Sequence, residues 1–436
     1  MKRTKMIYCR SLQKAFHIAL PVLPYTKPEQ LDTIEELPSL LQEKQISKVL
    51  LITDKGIRKC GITLPLENLL KEKGMECFVY DDTVANPTDV NVEEARQLYL
   101  DHQCEVIIGF GGGSSMDCAK AVGARIARPN KELAKMEGIL RVHKKLPLLI
   151  AIPTTSGTGS EVTLAAVITD SKTHHKYPIN DFCLIPKYAV LDPKITCSLP
   201  PFLTACTAMD ALTHAVEAYI GRSTIKETRQ DAEEAVRLIF QYIKRAFDNG
   251  NDLEARKNLS IAAYLAGNAF SKSYVGYVHA VAHSLSGKYN VPHGLANAVL
   301  LPNVLDAYGE VIHKKLARLA VVAGLADETD SESFAAAKFI KTIREMNRYF
   351  GIPSYIKEVK KEDIKELAVI ADQEANPLYP VPKLMDAEQL EGFYETVREG
   401  YYERTRNTQT SFTTKRVLPK WENVTNRQPD LGTANS

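Results

Sequence analysis

At Pro200-Pro201 the chain changes its pattern, and that change fixes what it can fold into. Before it, short apolar runs alternate with helical stretches. Residues 48–53, 77–80, 105–110 and 146–152 read as strands. Between them lie helical patterns over 66–73 and from a cap at Thr88 or Asp89 to Gln103. Strands separated by helices build a parallel sheet covered on both faces. From Val162 to Pro193 the pattern shifts to short β segments, clearest at 164–169 and 188–191. After the prolines, which a helix tolerates at its start and not inside, long helical periodicities fill 202–219, 225–248, 253–269 and 334–350. The expectation is an α/β domain over residues 1–199 and an all-α domain over 200–404. Beyond Thr405 the sequence turns polar, so 405–436 reads as a tail that is partly disordered or packs on a partner, with Trp421 as its anchor.

A chain of 436 residues exceeds what one core usually serves. Its 55 basic and 53 acidic residues leave a net charge of +2, which gives no reason to expect a nucleic acid. No apolar run is long enough for a membrane span, and after the basic start the stretch from Ile7 to Leu23 is interrupted by Arg10, Lys14 and His17, so no secretion signal is expected. Eight scattered cysteines without a CxxC pair suit a reducing cytoplasm. Cys118 and Cys206 read as small buried hydrophobes.

Two loops look made for phosphate and ribose. Gly109-Phe110-Gly111-Gly112-Gly113-Ser114-Ser115-Met116-Asp117 follows a strand and opens a helix over 119–128. Glycines let backbone approach a diphosphate, and the helix start offers free N–H groups and a positive dipole end. Ser114 stands where GxGxxG would have its last glycine. Residues 153–163 are dense in hydroxyls and glycines, including Thr154, Thr155 and Thr158. Asp54, just past the first strand, is placed to accept from a ribose 2′-hydroxyl and to repel a 2′-phosphate, which favours NAD with NADP still open.

The helical half carries a metal-ligand pattern. Asp210 and His214 lie one helical turn apart, and so do His279 and His283, with His293 ten residues further on. Asp210, His214, His279 and His293 make a ligand set for iron or zinc, with His283 as an additional imidazole beside the metal.

With these stretches the chain resembles the iron-containing (group III) alcohol dehydrogenases. The resemblance rests on Gly111-Gly112-Gly113-Ser114 with Asp117 and Lys120, on the 153–163 loop, on Asp210-Ala211-Leu212-Thr213-His214, and on the 279–302 block. Thr53-Asp54-Lys55-Gly56 and Asn86-Pro87-Thr88 extend it. It implies the fold shared with dehydroquinate synthase: an α/β dinucleotide-binding domain, an all-α metal-binding domain, and a cleft between them. It also implies Asp210, His214, His279 and His293 as ligands of Fe2+ (alternatively Zn2+), and His283 as the catalytic proton relay. Cofactor contacts are implied at Asp54, Asn86, Gly113, Ser114, Thr154, Thr155, Thr158 and Lys176; Gly112 and Ser115 join them from the glycine run.

The implied reaction is reversible hydride transfer between a primary alcohol or aldehyde and NAD, with the alcohol losing its proton at the metal. A homo-oligomer, a dimer, is implied as well. Phe270, Tyr274 and Tyr277, with the turn at Asn376-Pro377-Leu378-Tyr379-Pro380, are candidate pocket walls beside ordinary core packing. Two other activities compete: a polyol- or glycerol-type dehydrogenase with zinc, and a dehydroquinate-synthase-like lyase, which would need more basic residues than Lys288 near the histidines. The chain departs from the family pattern at Ala208, where glycine is common, in its first forty residues and in its long tail.

Overall fold

The computed structural model describes residues 1–399; the expected tail and Trp421 lie outside the described residues. The first half contains nine strands: β1 (Glu29–Leu31), β2 (Lys48–Ile52), β3 (Glu76–Tyr80), β4 (Val106–Gly111), β5 (Gly138–Ile139), β6 (Leu148–Pro153), β7 (Ala165–Thr169), β8 (Lys176–Asn180) and β9 (Tyr188–Val190). Its helices are α1 (Arg3–Ala19), α2 (Leu37–Glu43), α3 (Lys55–Lys59), α4 (Leu64–Glu72), α5 (Asp89–Asp101), α6 (Gly113–Ala127) and α7 (Pro193–Thr196). Six strands form one sheet in the order β1-β9-β6-β4-β2-β3, with every neighbouring pair parallel.

Alternation along each strand splits the apolar side chains between two cores. Leu50, Ile52 and Ile107 face α5 and α6, where Val92, Ala95, Ala119 and Val122 are buried. Val49, Leu51, Val106 and Ile108 face α2 and α4, where Leu37, Leu41, Leu66 and Leu70 are buried. A strand buried on both faces reads as a continuous apolar run, and β4 is buried along its whole length. Thr88 caps α5: its Oγ1 accepts from the Asn91 backbone N–H at 3.3 Å, and Asn91 Oδ1 accepts from the Thr88 N–H at 3.1 Å. The short β segments form a separate sheet in the order β5-β8-β7, with β7 and β8 antiparallel.

The second half consists of α8 (Pro201–Ile220), α9 (Lys226–Asp248), α10 (Leu253–Ser273), α11 (Tyr277–Tyr289), α12 (His293–Tyr308), α13 (His313–Val322), α14 (Glu332–Tyr349), α15 (Ile364–Ala375) and α16 (Ala387–Glu399). From Ala208 to Ile220 α8 is buried on all sides, as expected of a central helix. The more polar α9 buries one stripe, including Ala232, Ala235, Val236, Ile239, Ile243 and Ala246. Among the described residues no helix is long and apolar enough to cross a membrane.

One segment sits elsewhere than its position in the chain suggests. By position in the chain residues 1–19 are expected with the α/β domain, but α1 packs on the helical half. Cys9 lies in the helical core, Lys5 pairs with Asp372 at 2.6 Å, and the Met1 ammonium pairs with Asp386. The physical reason is the face α1 offers. Its buried residues, Cys9 and Gln13, one turn apart, find partners on the 377–382 loop and α15 rather than on the sheet.

Candidate functional site

Asp210 and His214 project from one face of α8, His279 from the first turn of α11, and His293 from the first residue of α12. Their ligand atoms all lie within 4.8 Å of one another. His293 Nε2 is 3.4 Å from Asp210 Oδ1, and His279 Nε2 is 3.9 Å from it. Donors bonded at about 2.1 Å to one tetrahedral ion are roughly 3.4 Å apart, so the cluster has the right size.

The electrostatics agree with the geometry. Burial pushes the His214 pKa down, and it pushes His279 well down with the help of the neighbouring imidazoles. Burial also brings His293 down to about 4, against the pull of Asp210. Three neutral imidazoles facing one buried carboxylate form a donor set that a divalent transition metal completes.

Side chains that sequence reasoning did not assign hold these donors in place. Glu217, 3% exposed, accepts from His279 Nδ1 at 2.6 Å and from the backbone N–H groups of Gly276 and Val278, both at 2.8 Å. That bond places the His279 proton on Nδ1 and leaves the Nε2 lone pair facing the other donors. Asn297 donates to Asp210 Oδ1 at 2.6 Å, and its Nδ2 lies 3.0 Å from His293 Nε2 and 3.2 Å from His279 Nε2. The spacing carried a signal for both. Glu217 follows Asp210 by two turns of α8, and Asn297 follows His293 by one turn of α12.

His283 lies one turn after His279, its ring stacked on His293 with centroids 5.1 Å apart. Its Nδ1 is 2.6 Å from Glu374 Oε1, which also accepts from the Tyr379 hydroxyl at 2.7 Å. The surrounding protein disfavours charge on His283, but Glu374 more than offsets this and the pKa is raised; its carboxyl partner is lowered in turn. Glu374 had no signal in the sequence, whereas Tyr379 lies in the turn named as a candidate wall. Of the aromatic candidates, Phe270 stacks on His214 with centroids 4.1 Å apart, and Tyr274 lies 6.3 Å from Tyr379. Tyr277 is fully buried and donates to the Met385 carbonyl, so it belongs to the core and not to a pocket wall.

The candidate cofactor residues gather at the carboxyl ends of the parallel strands, where open α/β sheets bind ligands. Asp54 follows β2, the glycines follow β4, and Thr154 follows β6, with its N–H donating to the Gly111 carbonyl at 3.0 Å. A Cβ on Gly112 would sit 3.9 Å from Thr155 Oγ1, and one on Gly113 would sit 3.3 Å from Thr158 Cγ2, so the two loops form one surface. The Gly112 cap position gives α6 no side-chain hydrogen bond, and Thr155 Oγ1 is buried without a partner. Unfilled donors at a helix start and an orphaned hydroxyl fit a diphosphate-bearing cofactor.

Asn86 joins this surface: its N–H donates to Ser114 Oγ at 3.4 Å, and its Oδ1 accepts from Lys176 Nζ at 2.8 Å. Asp54 caps α3 through Oδ1, which accepts from the Ile57 N–H at 3.0 Å. Ser115 departs from the expectation. It is 1% exposed and turned under Gly111, where a Cβ would collide with its Oγ, so its hydroxyl packs beneath the glycine run.

The 153–163 loop ties the two halves together. A Cβ on Gly159 would meet the Gly267 Cα of α10 at 2.6 Å, and one on Gly157 would meet the Thr207 Cβ of α8 at 2.7 Å. Gly159 also has φ +63°. Gly159→Ala is therefore expected to destabilise the protein by about 2–4 kcal/mol through strain and overpacking, and to weaken NADH binding. Denaturant unfolding and a fluorescence titration check both.

From the other side Lys120 of α6 reaches the loop. Its Nζ donates to Ser160 Oγ at 3.1 Å, Thr163 Oγ1 at 2.8 Å and the Ala165 carbonyl at 2.8 Å, and burial pushes its pKa down to about 8. Glu161, 1% exposed, keeps Oε2 without a hydrogen bond. Burial pushes its pKa from 4.5 up to about 7. The folded state then binds more protons than the unfolded one between those values, so this group's stabilising effect is lost as pH rises through 7. Glu161→Gln should match the parent near pH 4.5 and exceed it above pH 7, by up to about 3 kcal/mol. Unfolding midpoints across that range would expose a constant difference if this reading is wrong.

Comparison with known proteins places these features in a wider set. Residues 30–193 match the family described as iron-containing alcohol dehydrogenase, and residues 204–397 match the C-terminal region of the same family. The chain is 37% identical to the 1,3-propanediol dehydrogenase of Klebsiella pneumoniae over 367 residues, 83% of this chain and 94% of that one. It is 35% identical to the NAD-dependent methanol dehydrogenase of Bacillus methanolicus over 337 residues, 77% of this chain and 88% of the relative. A crystal structure of a 1,3-propanediol oxidoreductase superposes with a TM-score of 0.82 at 34% identity, covering 86% of this chain and 99% of that one.

Proposed function

The chain belongs to the iron-containing alcohol dehydrogenase family, and from that premise we propose that it interconverts a primary alcohol and its aldehyde with NAD(H), using Fe2+. The observation that carries this reading is the convergence of Asp210, His214, His279 and His293 within 4.8 Å, next to His283 and the hydroxyl-rich loop. When bound, the metal supplies a Lewis acid for the substrate oxygen and the nicotinamide carries the hydride. The chain's own groups do the rest.

The glycine run and the start of α6 bind the diphosphate through backbone N–H groups. Asn86, Lys176 and Asp54 orient the remainder of the cofactor, and the carboxylate of Asp54 favours NAD over NADP. His283 holds the proton that the alcohol loses, at Nε2, the ring nitrogen not bonded to Glu374. Glu374 stabilises that charged ring through Nδ1, and Tyr379 fixes the carboxylate. Phe270 and Tyr274 supply an apolar wall and keep water from the reacting carbon.

The Glu374–Tyr379 pair also favours a second reading, a short diol or hydroxyaldehyde whose far hydroxyl meets these groups. The lyase alternative finds no support, because Lys288 is held by Glu366 at 3.0 Å. Eight unpaired cysteines support a cytoplasmic setting; a homodimer rests on the family resemblance alone.

The test uses metal-free protein. Fe2+ or Zn2+ is returned anaerobically, and oxidation of NADH or NADPH is followed with butanal and with 3-hydroxypropanal. Activity restored by Fe2+ with NADH is the expected result, and the aldehyde preference decides between the two readings. No reduction with either metal and either cofactor would overturn the proposal.

A further inference from the structure

The family match begins at residue 30, so α1 lies outside it. Yet α1 spends its buried polar groups on the loop beside His283. Gln13, 6% exposed, donates from one amide nitrogen to two backbone carbonyls, Pro377 at 3.0 Å and Tyr379 at 2.7 Å. Arg10 donates to the carbonyls of Val381 at 2.7 Å and Pro382 at 3.0 Å, and to Gln13 Oε1 at 2.8 Å. Two adjacent turns of one helix thus hold four carbonyls of the 377–382 loop.

The third contact is aromatic. Phe16 meets Tyr274 edge to face, with centroids 5.0 Å apart. Tyr274 ends α10 at φ 64° and ψ 175°, a region that side chains other than glycine's avoid. Such a conformation persists only where neighbours hold it, and here Phe16 and Tyr379 flank the ring. Tyr274 faces Tyr379, whose hydroxyl donates to Glu374, the partner of His283, so the ring lies next to the chain that ends at that histidine.

We propose that α1 is a specificity arm: through Arg10, Gln13 and Phe16 it sets the positions of Tyr274 and the 377–382 loop, and so sets the length of alcohol or aldehyde that the site accepts. The inference rests on the alcohol-dehydrogenase reading. These three are positioning residues, since none of them reaches the histidines. Their effect belongs on the aldehyde and not on the nucleotide, because the cofactor surface is built from the ends of β2, β4 and β6 with Asn86 and Lys176, all in the α/β half, whereas α1 packs on the helical half.

The experiment compares Gln13→Ala and Phe16→Leu with the parent holoenzyme on straight-chain aldehydes from propanal to octanal. Kinetics are read beside NADH affinity, bound metal and melting temperature. Gln13→Ala removes two of the four hydrogen bonds that α1 donates to the loop, and kcat/KM for the parent's preferred aldehyde should fall roughly ten- to hundredfold. The preferred chain length should move to longer aldehydes, with KM for these falling, while NADH affinity and metal content stay within about twofold. Phe16→Leu keeps an apolar side chain in the gap and should shift the preference in the same direction with a smaller loss. It carries the test if Gln13→Ala melts below the assay temperature.

Parent-like length profiles in both variants would overturn the arm. So would a uniform loss across all aldehydes with weaker NADH binding, which is the mark of a merely stabilising helix. A parent enzyme that binds NADH and metal but reduces no aldehyde would instead overturn the functional reading.

Discussion

Replacing His279 with alanine should empty the metal site and lower aldehyde reduction by about a thousandfold or more, the equivalent of roughly 4 kcal/mol of transition-state stabilisation. Among the four candidate donors His279 has a carboxylate facing each ring nitrogen. Its Nδ1 is bound by Glu217 at 2.6 Å, and its Nε2 faces Asp210 at 3.9 Å. Removing the ring deletes one of three imidazole donors and leaves the buried carboxylate of Glu217 without its side-chain partner. The remaining backbone bonds from Gly276 and Val278 keep α11 in place, so the variant should fold.

Metal content per chain, NADH affinity and steady-state rates separate the outcomes. Loss of metal with NADH affinity kept within about twofold is expected, because the candidate donors lie on α8, α11 and α12 while the candidate cofactor residues gather at the strand ends of the other half. A variant that retained one metal per chain and the parent's rate would remove His279 from the ligand set. His283→Ala makes the contrasting control. It should keep the metal and lose rate, by about a hundredfold as for one positioned proton-transfer group, because it is bonded to Glu374 and not to the four donors.

These two outcomes bear on what the sequence could tell. The periodicity of Asp210-Ala211-Leu212-Thr213-His214 put two donors on one helical face, and the fold then had only to bring α11 and α12 against that face. The strands at 48–53 and 105–110 were equally plain, because a strand covered on both sides must be apolar throughout. What stayed hidden needed long-range partners. Glu374 lies 91 residues from His283 on an otherwise ordinary amphipathic helix, and nothing local marks it. The side-chain direction of Ser115 follows from the close approach of Gly111, which no motif records. The placement of α1 escaped for the same reason: Arg10 and Gln13 are ordinary helix residues until the carbonyls near residue 380 are brought beside them. Glu217 stands between these cases. Its spacing from Asp210 was visible, but its role depends on the start of a helix 59 residues away.

That role leads to the second large effect, on the metal rather than on the rate. Glu217→Gln keeps shape and volume, yet it cannot serve three donors. The carboxylate takes Gly276 N–H and His279 Nδ1–H on Oε2, and Val278 N–H on Oε1. A glutamine with its oxygen toward His279 turns its NH2 against the Val278 N–H, leaving buried donors unpaired at about 1–3 kcal/mol. A glutamine flipped the other way presents NH2 to His279 Nδ1, which moves the imidazole proton to Nε2 and blocks the ligating lone pair.

Either arrangement should weaken metal binding by roughly ten- to a hundredfold, the usual effect of losing a carboxylate behind a histidine ligand. The metal-free variant should also unfold at lower denaturant. Burial already pushes the Glu217 carboxyl up to about 7 in spite of its three donors, so the site holds this group at the edge of its charged state. His279 would hold a cation through Nε2, and Glu217, bonded to Nδ1, would then meet a stronger donor and be favoured in its charged form, so metal binding and Glu217 ionisation would reinforce each other. Competitive chelator titrations of parent and variant measure the affinity directly. Equal affinities, with only the unfolding midpoint shifted, would mean that Glu217 braces the start of α11 and does nothing for the metal.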